Sequence, residues 1–135
     1  EAFEIIRDQR LQPIVPEEDG KANPKSALFW RSDLTMPFIR ANFDALRTYF
    51  EVSEMISILP EDQRWLGKSI EFEFNNSSDI LGRLQMPVAD ILKDQDRAGE
   101  LGYLVILTQS LQQLFGTQLT SALGLSVGFS SLDGD

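Results

Sequence analysis

The chain has 135 residues, 42% hydrophobic and 24% charged. That is the size of one domain, with apolar content enough for a core and too much for a disordered segment. It contains no histidine and no cysteine, which removes imidazole bases, Ser-His-Asp triads, HExxH zinc sites, disulfides and thiolate nucleophiles from this sequence. Twelve basic against 21 acidic residues give a net charge of −9, which suits neither a nucleic-acid backbone nor an anionic membrane surface. The same charge permits cation binding, although solubility alone accounts for it.

The predicted elements are helical. Ala2 to Leu11 reads as a short helix with Phe3, Ile6 and Arg10 on one face, stopped by Pro13. Pro13 to Asn23, with Pro16, Gly20 and Glu17-Glu18-Asp19, reads as a loop. Further on, Ser32 or Thr35 is expected to cap a helix with Pro37 in its first turn. Ile39, Phe43, Leu46 and Phe50 make its apolar stripe, and Ser53 restarts a shorter helix through Leu59.

Pro60-Glu61-Asp62 reads as a helix opening, followed by ridges through Trp65, Ser69, Phe72 and through Leu66, Ile70, Phe74. The run Ile70 to Phe74 also alternates like a strand. Helix is preferred, because no second strand is visible to pair with it. The polar stretch Asn75 to Asp79 ends or interrupts that helix. Pro87 opens a short helix to Leu92, Asp94 caps the next, and a long helix runs from Gln95 to Leu123, ended by Gly124. Its buried face holds Leu104, Thr108, Leu111, Phe115, Leu119 and Ala122, widened by Leu107 and Leu114. Gly99, Gly102 and Gly116 inside it are read as close-packing positions rather than ligand contacts.

The expected fold is therefore all-α: four to five helices in one bundle, a single domain over 1–135 with residues 1–23 as an N-terminal helix and loop. No apolar run reaches the roughly 18 residues of a membrane span. The start at Glu1 without an apolar leader is expected of a processed chain, a trimmed one or a fragment. An exposed apolar face is expected on the helices containing Phe43 and Phe115, where a missing half or a second copy would dock.

Four groups of residues are weighed for chemistry. Trp30 beside Phe29 could stack on a sugar ring or anchor a loop to the core. Asp133 and Asp135, with Gly134 between them, could ligate a hard divalent or ferric cation or be a solvated terminus. Glu71 and Glu73 point apart by about 160° on a helix, which makes them a poor acid–base pair. Gly67-Lys68-Ser69 lacks the spacing of serine–lysine hydrolases.

Two stretches carry a resemblance. Phe29-Trp30-Arg31-Ser32-Asp33-Leu34-Thr35, followed by Arg40-Ala41-Asn42-Phe43-Asp44-Ala45-Leu46-Arg47, resembles the RSGLT…A(N/S)LEGLR segment of imelysin-like proteins. Leu123 to Asp135 resembles their LGLPLGFNSLDGD ending. The match runs from about Trp30 onward. It implies a bacterial envelope protein, often a lipoprotein of the outer membrane or periplasm, built from two helical halves. Some members are described as metallopeptidases, and others act in iron uptake or bind polysaccharide. The hallmark GxHxxE motif lies in the half preceding these segments, and a chain without histidine cannot contain it.

The resemblance implies a C-terminal half whose site is shared with an N-terminal half or completed in a homo-oligomer. Trp30, Arg31, Ser32 and Asn42 are then the ligand-binding candidates, with Arg31 holding an anion or carboxylate. On residue types alone, Ser32 is a helix cap and Arg31 a surface cation. The leading expectation is ligand or metal capture linked to iron uptake. Its alternatives are the C-terminal part of a metallopeptidase and a non-catalytic helical interaction module.

Overall fold

The computed structural model describes residues 1–16 and 23–125, and they are helical throughout, without a strand among them. α1 spans Ala2–Ile6 and continues as a π-helical stretch, Arg7–Leu11, and a 3-10 turn, Gln12–Ile14, that takes in Pro13. α2 spans Thr35–Ser53, α3 Trp65–Arg83, α4 Val88–Ile91 and α5 Gln95–Gln113. α5 runs on through a second π-helical stretch, Leu114–Leu119, into α6, Thr120–Ala122. This is the expected helical bundle.

α3 is central. It packs on α5 along one side and on α2 along the other, while α1 lies against α5. Two cross-links set the direction of the α3–α5 pair. Ser110 Oγ donates to Glu73 Oε1 at 2.6 Å, and the Arg83 guanidinium meets Glu100 nearer the other end, so the helices run antiparallel. The core is a continuous apolar cluster in which Leu11, Ile14, Ile70, Leu84, Ile91, Leu101, Leu104 and Leu111 are fully buried. At one end four rings interlock. Phe115 lies 5.3 Å from Phe3, 5.4 Å from Phe50 and 6.1 Å from Phe74, centroid to centroid. Tilted and edge-on contacts of this kind add to the area that the rings bury.

The helix ends show where local chemistry acts. Asp94 caps α5 as expected, its Oδ1 accepting from the N–H groups of Asp96 and Arg97 at 3.0 and 3.1 Å. Gly124 has φ +66°, its N–H bonds Ser121 and the N–H of Leu125 reaches back to Thr120. This is a Schellman closure, which needs the left-handed backbone that glycine adopts freely. The expectation that Ser32 or Thr35 caps α2 is corrected. Ser32 Oγ donates to the Phe29 carbonyl and Thr35 Oγ1 to the Leu28 carbonyl at 2.6 Å, so both serve the preceding loop.

Other expectations also shift. Pro60-Glu61-Asp62 opens a 3-10 turn, Glu61–Gln63, and α3 begins at Trp65. The segment after Ser53 is a 3-10 turn, Met55–Ile58. It closes on α3 at Gly67, where a Cβ would sit 3.0 Å from the Ile56 methyl. The polar run Asn75 to Asp79 does not break α3. Ser77 is buried and satisfies its hydroxyl on the Glu73 carbonyl one turn back at 2.8 Å, which keeps the helix intact. The strand-like run Ile70 to Phe74 is helix, as preferred. Gly99, Gly102 and Gly116 are not close-packing positions: no neighbouring atom lies within 4 Å of where their Cβ would be.

Candidate functional site

The loop into α2 departs from ordinary backbone. Phe29 and Asp33 have φ +64° and +55° and flank a 3-10 turn, Trp30–Ser32. The left-handed region costs a residue with a Cβ roughly 1–3 kcal/mol and persists only where the surroundings enforce it. Here the enforcement is visible. The Phe29 ring packs edge-on against Phe38 of α2 at 5.1 Å, and the Thr35 and Ser32 hydroxyls tie down the carbonyls of Leu28 and Phe29. Ser26 Oγ donates to the carbonyl of Pro13, which joins the loop to the end of the first helical segment.

The turn presents Trp30 half to solvent, and two cations sit on its indole. Arg31 Cζ lies 5.3 Å and Lys25 Nζ 5.8 Å from the ring centroid. Arg10 Cζ lies 5.7 Å from the centroid of Phe38, the ring that Phe29 packs against. Distances under about 6 Å put each cation within the attraction of a ring quadrupole. Among the described residues, Arg10, Lys25, Arg31, Arg64, Lys68 and Arg97 have no ion-pair partner, whereas Arg7, Arg40, Arg47, Arg83 and Lys93 each have one. Arg7 is the most firmly held. Asp8 takes a bidentate hydrogen bond from it at 2.6 and 3.0 Å and raises its pKa above the ordinary guanidinium value against a smaller opposing effect of burial.

Asp33, which ends the turn, also lines a cleft of about 410 Å³ between the start of α2 and the α3–α4 corner. Met36, Pro37, Leu81, Leu84 and Met86 wall it, and Arg40 and Gln85 supply its polar groups. Apolar walls with a few convergent polar groups are the usual make-up of a small-ligand site. Arg40 is held only loosely, by Asp44 at 3.7 Å.

Of the sequence candidates, Trp30, Arg31 and Ser32 form one turn. Trp30 and Arg31 face outward, and Ser32 is spent on the Phe29 carbonyl. Asn42 stands apart: its Nδ2 donates to the Phe38 carbonyl at 2.6 Å, a bond within its own helix. Asp133 and Asp135 lie outside the described residues. Among the described residues no three acidic side chains gather as a metal would require, so no metal step is built on them. Sequence reasoning missed Arg10, Lys25, Phe38, Asp33 and Arg40. The signal for Lys25, Arg31 and Arg40 was available: residues 23–43 hold three basic side chains and one acidic one in a chain of net charge −9.

Phe43 is buried and Phe115 belongs to the ring cluster, while α2 exposes Tyr49 and Val52 and α5 exposes Tyr103 and Ile106. No described helix is long and apolar enough to cross a membrane. Comparison with family models, curated proteins and solved structures finds no match to this chain.

Proposed function

We propose that this chain is the C-terminal half of an imelysin-like protein of the bacterial envelope, periplasmic or outer-membrane-associated. It captures a ligand or metal in the service of iron uptake, at a site completed by an N-terminal half that carries GxHxxE. The observation that supports this reading is the backbone at Asp33. Its φ of +55° is a glycine conformation, and the RSGLT segment that residues 31–35 resemble has glycine at that position. The left-handed Gly124, under the glycine of the LGL ending, agrees with it.

The capture surface is the Trp30–Ser32 turn with the adjoining cleft. It offers a flat ring, cations and an apolar pocket, which recognise a ligand without chemistry on it. Metal-ligating imidazole has to come from the other half, since this chain has none. Replacing Trp30 and Arg31 by alanine together, in the protein in its own cell, is expected to lower iron accumulated under iron limitation. Both side chains are exposed, so circular dichroism should stay unchanged. Undiminished accumulation contradicts the reading.

A further inference from the structure

Among the described residues Arg10, Lys25, Arg31, Arg64, Lys68 and Arg97 lack carboxylate partners, and two of them, Lys25 and Arg31, lie over one and the same ring, that of Trp30. In a chain of net charge −9, two unpaired cations on one exposed ring make a local positive site amid an excess of carboxylates. The excess cannot neutralise them from afar, because salt confines its field to a Debye length of about 8 Å.

We propose that this surface binds a small polycarboxylate, free or as the chelate of a metal ion. The inference rests on the preceding reading of the Trp30 turn as a capture site, and it names the ligand. A guanidinium offers paired N–H donors that match the two oxygens of a carboxylate, and an ammonium adds a compact point charge. Lys25 and Arg31 lie 5.8 and 5.3 Å from the same ring centroid, which puts two positive heads at one side chain. The rings beneath exclude water from one side of the heads, and lower local polarity strengthens each contact. A chelate also removes a difficulty. A metal arriving with its own carboxylate ligands needs none from a turn that presents indole, ammonium and guanidinium.

The test is calorimetric titration of the full chain with citrate and with ferric citrate, at about 50 and 200 mM salt. Saturable binding that weakens with salt, and that falls at least tenfold in the Lys25→Gln/Arg31→Gln double variant, is the expected result. Lys93→Gln, at a cation already paired with Asp90, should leave it unchanged. Tighter binding of ferric citrate identifies the chelate as the ligand, and equal binding identifies the free polycarboxylate. Absence of binding by either, or binding that the double variant leaves intact or that Lys93→Gln weakens equally, overturns the proposal. If it is overturned while the Trp30/Arg31 alanine variant still lowers iron accumulation, the ligand class is wrong and the capture site stands. If both results are negative, the capture reading fails as well.

Discussion

Glu54 shows how single residues carry strain in this fold. It ends α2 with φ +50°, a conformation that disfavours any side chain with a Cβ. Its exposed side chain makes no ion pair among the described residues. Glu54→Gly is therefore expected to raise stability by about 1 kcal/mol, read as a higher urea midpoint at unchanged slope. A lower midpoint would show that the backbone gains nothing there. Among the described residues, none of the three left-handed residues outside glycine, Phe29, Asp33 and Glu54, was legible from residue type. Only the glycine in the resembling segment hinted at Asp33. Gly124 was legible, because glycine past a long apolar helix has one ordinary use.

At the scale of elements, α2, α3, α4 and α5 could be read because their apolar residues recur at helical spacing and Pro37, Pro87 and Asp94 mark their starts. The π-helical stretches could not. Leu114 and Leu119 are both buried and five residues apart, a spacing that fits a wide turn but is hidden within the ordinary stripe Leu111, Phe115, Leu119. Gly99 and Gly102 were misread for a related reason: a glycine in a sequence does not show whether anything approaches it. With open space at both positions, Gly99→Ala and Gly102→Ala should each stabilise α5 by about 0.5–1 kcal/mol. Thermal unfolding of the two single variants measures this, and a fall in either midpoint would mean that the backbone there is needed bare.

For the whole molecule, stability is concentrated where α1, α2, α3 and the second π-helical stretch meet in the cluster Phe3, Phe50, Phe74, Phe115. Phe74 is 2% exposed and touches the other three rings. Phe74→Ala is expected to cost about 3–5 kcal/mol, by denaturant unfolding. A cost below about 1 kcal/mol would place the stability elsewhere. The apolar stripes that build this cluster were readable one helix at a time. The cations on Trp30 were not, because Lys25 comes from the segment before the turn and only the fold lays it over the ring. The sequence singled out Trp30 and Arg31 without the Lys25 that joins them.

The central claim is that this bundle captures its ligand as one half of a two-part protein. Native mass measurement of the protein isolated from its own cells, without denaturant, tests it most directly. The account predicts a species heavier than the 15.2 kDa of this chain, containing a GxHxxE segment and a small ligand that is lost when Trp30 and Arg31 are replaced. A monodisperse 15.2 kDa species with no bound ligand would contradict it.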